Sequence, residues 1–365
     1  MRKILVIITT AFVPYGGLAS VMMNLYRGID HSRFQIDFAS TNASLDRNLA
    51  AELELNNSHY YSLGSRKKGL FTYIMRLSSL LKENSYDVIH VHSNSATAAI
   101  ELALAKKYHI PKRIVHNHTS ICDHKTLHAL LNPFFQGLYT DAVACSQKAG
   151  EWIFPDGHYR ILQNGINTER YRFSRQAREE IRGQYGIPDS AFVMGHVGKI
   201  YKPKNHRFLV EVFDDYHRTM PNSVLLLVGD GVMRGEIEAD VKRRGLQDSV
   251  IFSGMQSAPE RFLSAMDVFV FPSVWEGMPL SLIEAQASGL PCLISDTIDE
   301  GAIITDRVQR LGIAGGTSQW IQELEAMTTA HREAGSDESI KKIKACGFDS
   351  KYNAQKLEEL YLGNV

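Results

Sequence analysis

The densest chemistry in the chain lies in Phe271-Pro-Ser273-Val-Trp-Glu276-Gly277-Met278-Pro279-Leu280-Ser281-Leu-Ile-Glu284-Ala-Gln-Ala-Ser-Gly289-Leu-Pro291. An apolar run ends at Phe271, a loop carries Glu276, and Pro279 suits the first position of a helix, where its missing N–H is not needed. From that helix start the amides of Leu280 and Ser281 are expected to face an anion. Glu284 lies about one turn inside the helix, within reach of hydroxyl groups. Two carboxylates around an anion-binding helix start suit a ligand that carries phosphates and sugar rings, because a carboxylate accepts hydrogen bonds from vicinal hydroxyls. The bland alternative is one glutamate favoured by the helix dipole and another at the surface. Spacing and context favour the ligand.

A basic cluster, Gly195-His-Val-Gly198-Lys199-Ile-Tyr-Lys202-Pro-Lys204-Asn205-His206, follows an apolar run and precedes a helical pattern. It is not a Walker A loop, which needs glycine where Val193 stands and Ser or Thr where Ile200 stands. Three lysines at the end of a strand still form a cradle for a diphosphate. Gly16-Gly17, after the apolar run Ile4–Ile8, would let backbone amides approach an anion, and a plain glycine turn explains them equally well. Gly229-Asp-Gly231 with Gly235 misses the GxGxxG spacing and reads as tight-turn glycines. His90, His92, His109, His116, His118, His124 and His128 are seven of the 14 histidines. His90/His92 and His116/His118 are i, i+2 pairs at strand ends, so each pair faces one way. Such pairs can ligate zinc, as in a metal hydrolase, but no adjacent acidic ligand or second metal motif accompanies them. One histidine hydrogen-bonding a sugar or phosphate, with the rest structural, is the expectation.

Apolar runs alternating with helical patterns must position these residues. Strands are expected at Lys3–Ile8, Phe34–Phe38, Asp87–His92, Arg113–His118 and Ala142–Cys145, then at Phe192–Val197, Val224–Val228, Val250–Phe252, Val268–Phe271 and Cys292–Ile294. Helices are expected between them, with a last one near Lys351–Tyr361. Two doubly wound α/β domains follow, and in such sheets ligands bind beyond the carboxyl ends of the strands. The expected division is 1–170, 171–348 and a terminal helix in 349–365 that packs back on the first domain, with the sheets facing a central cleft.

Composition narrows the classes. The 365 residues carry 40 Lys+Arg and 40 Asp+Glu, with 44% hydrophobic and 22% charged residues, which argues against a disordered chain and against a dedicated nucleic-acid binder. Residues 1–170 hold 18 basic against 13 acidic side chains (+5) and residues 171–365 hold 22 against 27 (−5), so the first half could meet an anionic surface. Four scattered cysteines without a CxxC pair suit a reducing compartment. No stretch approaches the ~18 apolar residues that span a bilayer. A cytoplasmic protein is expected, peripheral on the membrane at most.

Together these residues resemble glycosyltransferase family 4, the retaining, sugar-nucleotide-dependent enzymes of the GT-B fold. The likeness runs along the chain: Gly16-Gly17, Asp87-Val-Ile-His-Val-His92, Ile114-Val-His-Asn-His118-Thr-Ser, Ala144-Cys-Ser146, Leu162-Gln-Asn164-Gly165, Gly198-Lys199 with Lys204, Gly229-Asp-Gly231, and the E-x7-E pair Glu276…Glu284. In style it is similar to bacterial exopolysaccharide and capsule enzymes. The resemblance implies that Lys199 and Lys204 bind a donor diphosphate together with the amides of Gly17, Leu280 and Ser281, beside Gly16, Gly277, Met278 and Pro279. It implies that Glu284 holds the ribose, Glu276 contacts the transferred sugar, Met255-Gln256 edges the nucleobase, and His118 is the active-site histidine. Lys199 stands where the family usually has Arg or Lys, losing the planar fork of Arg but keeping the charge. The implied reaction moves a hexose from a nucleoside diphosphate, UDP foremost, to an acceptor hydroxyl with retention and without a metal cofactor. The acceptor would be a glycan or a polyprenyl-diphosphate-linked sugar, with anionic membrane as a further contact and no nucleic acid. The loops Asn42–Arg47, Ser65–Lys68 and Cys122–His124 spell no acceptor code. A sugar-nucleotide epimerase and a catalytically silent nucleotide-sugar-binding module are the alternatives.

Overall fold

Near-continuous Val, Ile, Leu and Phe runs become parallel strands when helices cover both faces of a sheet. The computed structural model describes residues 1–13, 16–119, 122, 124–327 and 332–363. Pro14, Tyr15, Ser120 and Asp123, which belong to the first glycine segment, the segment after His118 and one acceptor-side loop, lie outside the described residues. The structure divides into two units, Met1–Gly165 with Ser350–Val365, and Ile166–Asp349. The boundary falls at Ile166 rather than 171. There the Ile166 N–H donates to Phe348 O (2.8 Å) and Thr168 Oγ1 donates to Asp349 Oδ2 (2.6 Å), joining this segment to the second unit.

The first unit contains β1 (Arg2–Ile8), β2 (Phe34–Ser40), β3 (Tyr60–Ser62), β4 (Val88–Ser93), β5 (Lys112–Asn117), β6 (Asp141–Ala144) and β7 (Arg160–Ile161), all parallel in the order β3-β2-β1-β4-β5-β6-β7. Its helices are α1 (Gly17–Gly28), α2 (Arg47–Leu55), α3 (Arg66–Glu83), α4 (Ala99–Lys107), α5 (Lys125–Phe135) and α6 (Gln147–Ile153). The second unit contains α7 (Arg175–Gln184), β8 (Phe192–Val197), α8 (His206–Thr219), β9 (Ser223–Val228), α9 (Arg234–Arg244), β10 (Val250–Gly254), α10 (Pro259–Ala265), β11 (Val268–Phe271), α11 (Leu280–Ala287), β12 (Cys292–Ser295), β13 (Val308–Leu311), α12 (Ser318–Ala326) and α13 (Arg332–Ala345). Its sheet order is β10-β9-β8-β11-β12-β13, again parallel. The last helix, α14 (Ser350–Leu362), belongs to the first unit. It lies against α1 so tightly that a Cβ on Gly28 would stand 2.7 Å from that of Ala354.

The strand order reverses between β1 and β4 in one sheet and between β8 and β11 in the other, and ligands bind at such switch points. β8 and β11 are the strands that feed the lysine loop and the Glu276 loop. Their pairing is held by Asp267, just before β11, whose Oδ2 accepts from Val193 N and from Arg182 Nη2 (both 2.7 Å), while Oδ1 accepts from Arg178 Nη2 (2.7 Å). Arg182 comes from α7, a highly charged segment that composition alone leaves without an element. Its side chain is 1% exposed, so removing its partner strands a buried cation. Asp267→Ala is therefore expected to cost about 3–5 kcal/mol, seen as a lower urea midpoint for the second unit's unfolding.

Candidate functional site

In the second unit the chain leaves β8 at Gly198 and stays paired with the loop after β9. Gly198 N donates to Val228 O (2.9 Å) and Ile200 N to Asp230 O (2.9 Å). The approach admits no side chain: a Cβ on Gly229 would lie 2.0 Å from Gly198 O, and one on Gly231 2.2 Å from Ile200 O. Gly229 and Gly231 thus serve close backbone packing beside the lysine loop, not a dinucleotide fingerprint. A short 3-10 turn, Lys202–Lys204, ends at Asn205, whose φ of 55° lets the chain swing directly into α8.

That turn buries one of the three lysines. Lys204 Nζ lies 2.8 Å from Glu276 Oε1 and 4.3 Å from the centroid of the Phe271 ring. Burial draws its ammonium below the usual lysine range, and Glu276 opposes the shift. Glu276 Oε1 is itself buried and meets this ammonium as an ion pair. Lys199 and Lys202 are exposed. Val274 N donates to Pro203 O (2.8 Å), tying the two loops together, and Thr297 Oγ1 donates to Ser273 O (2.7 Å). Beneath them His196 Nδ1 bonds Val270 O (2.9 Å), its ring stacked on Phe269 and Phe271 and edged by His206. Both rings are buried and neutral, His206 being pushed down to about 4 by burial and the nearby Lys204. This histidine floor went unread in the sequence, where only the lysines stood out.

Pro279 is the cap residue of α11 and not its first helical residue. Its φ and ψ of −75° and 102° are extended, and its carbonyl accepts from Leu282 N (3.0 Å). Without a side-chain cap, the Leu280 and Ser281 amides precede the first bond of the helix and remain available to an outside acceptor. Gly277 is exposed and Met278 half-buried in the loop before them. Glu284 follows on the first full turn. Its Oε1 accepts from Tyr171 Oη (2.8 Å), and burial raises its carboxyl to about 7 against the pull of Tyr171, Arg170 and Lys204. Tyr171 was missed because it sits in a polar, Arg-rich stretch that reads as a linker. Its neighbour Arg170 donates to Ser257 O (2.7 Å) and pairs with Glu260 (3.1 Å), fixing the loop that carries exposed Met255 and half-buried Gln256. Gln256 Nε2 donates to Ser253 O (2.6 Å).

In the first unit Gly16 caps α1 without a side-chain bond, and a Cβ on Gly17 would meet open space. His118 is half-buried just beyond β5. Its Nδ1 bonds Asn164 Oδ1 (2.9 Å) and its Nε2 bonds His92 Nδ1 (2.8 Å), while burial holds the ring neutral with a pKa pushed down to about 4. Both ring nitrogens are thus engaged inside the protein, and a ligand hydroxyl must displace one of these partners to reach the imidazole.

Residues 15–170 match the family described as Glycosyltransferase Family 4, and residues 177–329 match that described as Glycosyl transferases group 1. EpsF of Bacillus subtilis (strain 168), itself assigned as a glycosyltransferase, is 31% identical over 95% of this chain and 93% of its own. The UDP-Gal:alpha-D-GlcNAc-diphosphoundecaprenol alpha-1,3-galactosyltransferase of Escherichia coli is 23% identical over 80% of this chain and 79% of its own. Among solved structures, Anabaena HepE in complex with UDP and glucose superposes with a TM-score of 0.77 at 17% identity, covering 100% of both chains.

The raised carboxyl of Glu284 carries a sign. Between its ordinary value of 4.5 and about 7, the folded chain keeps a proton that the unfolded chain has released, so Glu284 lowers stability as pH rises through that window. The buried histidines, whose pKa values are lowered, give the opposite slope. Comparison with Glu284→Gln isolates the carboxyl: the Tm of the variant minus that of the parent is expected to grow from pH 4.5 to pH 7 in a thermal-shift series without ligand.

Proposed function

The chain belongs to glycosyltransferase family 4 and has its GT-B fold, and from that premise we propose that it moves a hexose from a nucleoside diphosphate sugar, UDP foremost, to a hydroxyl of a glycan or lipid-linked acceptor in bacterial polysaccharide biosynthesis. The observation that carries this reading is the buried Lys204–Glu276 pair beside the uncapped start of α11, with Glu284 one turn inside. One relative with UDP-Gal and diphosphoundecaprenol in its name, and a fold neighbour holding UDP, support the donor and acceptor classes.

Departure of the diphosphate from an oxocarbenium-like centre is the hard step. Lys204 and Lys199, with the Leu280 and Ser281 amides, stabilise the negative charge as it develops. A phosphate competing for the Lys204 ammonium releases Glu276 to accept hydrogen bonds from the sugar, so the ion pair exchanges partners when donor binds. Glu284 accepts from the ribose hydroxyls. The bond from the anomeric carbon to the diphosphate oxygen breaks while the acceptor oxygen attacks the same face. The acceptor proton passes to the leaving phosphate, which gives retention without a metal ion in the transfer. His118 is assigned to the reacting region by its match to the family's active-site histidine.

Contact with an anionic membrane belongs to the same reading. Leu70, Phe71 and Met75 of α3 and Leu127, Leu130 and Phe134 of α5 are 44–77% exposed, with exposed Lys67, Lys68, Arg76 and Lys125 on the same two helices. The α5 residues fall on one helical stripe. Among the described residues no helix is long and apolar enough to cross a membrane, so such contact would be peripheral.

Glu276→Gln and His118→Ala are each expected to cut sugar transfer at least ~100-fold while UDP affinity, read by calorimetry, changes less than about threefold. Lys204→Ala is expected to weaken UDP binding roughly 10- to 100-fold through loss of a charge-assisted contact. Undiminished transfer in the Glu276 variant would remove that residue from the mechanism. In flotation assays, recovery is expected with phosphatidylglycerol vesicles and not with pure phosphatidylcholine. A Phe71→Ser, Leu130→Ser double variant is expected to lose it. Equal recovery on both lipids would count against the membrane contact.

A further inference from the structure

β4 and β5 run in register with His92 opposite His116, and alternate residues of a strand share a face. His90, His92 and His116 therefore crowd one side of the first unit's sheet, with ring centroids 4.1–5.4 Å apart. None is more than 1% exposed. One ring nitrogen from each lies within 4.8 Å of the other two.

A neutral imidazole has one N–H and one lone pair, so hydrogen bonds on one nitrogen fix what the other offers. Asn164 Oδ1 accepts from His118 Nδ1–H, which leaves His118 Nε2 as the acceptor of His92 Nδ1–H. The Nε2 of His92 is then the nitrogen that carries the lone pair. His90 Nδ1 bonds Tyr361 Oη (2.8 Å) from α14, and its Nε2 is buried without a partner. Neither nitrogen of His116 closes a hydrogen bond of normal geometry, and the Leu162 backbone is the polar group beside it. Each ring thus has a polar neighbour on one side, and on His90 and His116 a buried nitrogen is left without a partner. Metal-ligating histidines almost always show this pattern, the second nitrogen being oriented by a partner outside the coordination shell.

We infer that His90, His92 and His116 form a buried binding site for a zinc-class divalent ion. Three imidazoles suit zinc and its first-row neighbours better than calcium or magnesium, which prefer oxygen. Metal–nitrogen bonds of about 2.0–2.1 Å place tetrahedral ligand nitrogens about 3.3 Å apart, so nitrogens that now lie within 4.8 Å of one another must close by at most about 1.5 Å through side-chain rotation. The ion would staple β4 to β5 and, through Tyr361, to α14. It would also set the tautomer that His92 presents to His118. It takes no part in the transfer step, from which His118 separates it. The inference stands apart from the proposed activity, because its test reads metal and not sugar.

The experiment uses the full chain without an affinity tag and with Cys346→Ser, which removes the one exposed thiol among the described cysteines. Elemental analysis of protein produced in zinc-supplemented medium is expected to give about one ion per chain. Cobalt(II) added to chelator-treated protein is expected to give the visible ligand-field absorption of a nitrogen-bound ion. Zinc is expected to raise Tm by roughly 5 °C or more over the chelated form. His116→Phe, which keeps ring volume, is expected to lose the ion. If that variant fails to fold, His90→Phe and the zinc titration of the parent chain carry the test. A metal-free parent whose Tm zinc does not move, or a folded His116→Phe that retains stoichiometric zinc, overturns the site. The former result would mean that the spare nitrogens are met by trapped water.

Discussion

The ammonium of Lys204 is a full charge taken out of water, and the site is organised around keeping it there. Desolvation alone would drive the proton off such a group. Glu276 at 2.8 Å and the face of Phe271 oppose that tendency. A lysine held this way offers its charge without first shedding much water, which makes it worth more to an arriving phosphate than an exposed one. Lys199 and Lys202, exposed on the same loop, keep their water and lack that advantage.

The backbone around this pair is arranged by exclusion as much as by attraction. The lysine loop can run beside the loop after β9 only because Gly229 and Gly231 carry no side chain. The Glu276 loop is tethered to Pro203 through Val274 and to Thr297 through Ser273, so lysine and glutamate are positioned by the ends of adjacent strands and not by flexible chain. α11 keeps its first amides unspent because proline, which has no N–H and no capping side chain, precedes it. Each of these is a local choice that costs the isolated element something and leaves polar groups unspent at the end of the sheet.

Much of this was legible in the residues. Strands buried on both faces announce themselves as unbroken apolar runs, and Glu276, Lys204 and Glu284 sit where strands give way to helices. What escaped had weak local signals. The edge strands β3, β7 and β13 are four residues or fewer and half-exposed or exposed, so their pairing and not their composition makes them strands. α7 looks like charged linker because two of its arginines, Arg178 and Arg182, turn inward to Asp267, contacts 89 and 85 residues away in sequence. Tyr171 is likewise invisible until folding brings it to Glu284. Pro279 shows the limit of positional rules: it starts the helix, but one residue outside it.

The first unit is not contiguous in the chain. Its sheet comes from the early residues, yet α14, which covers α1 and bonds His90, comes after the whole second unit. On a ribosome, the strands of that sheet would emerge and pair long before the helix that buries one of their faces exists. The interval spans the synthesis of the intervening unit. A quality-control step that senses uncovered apolar surface would therefore see this half of the molecule as unfinished until α14 has followed the second unit, which couples its maturation to successful completion of the other half.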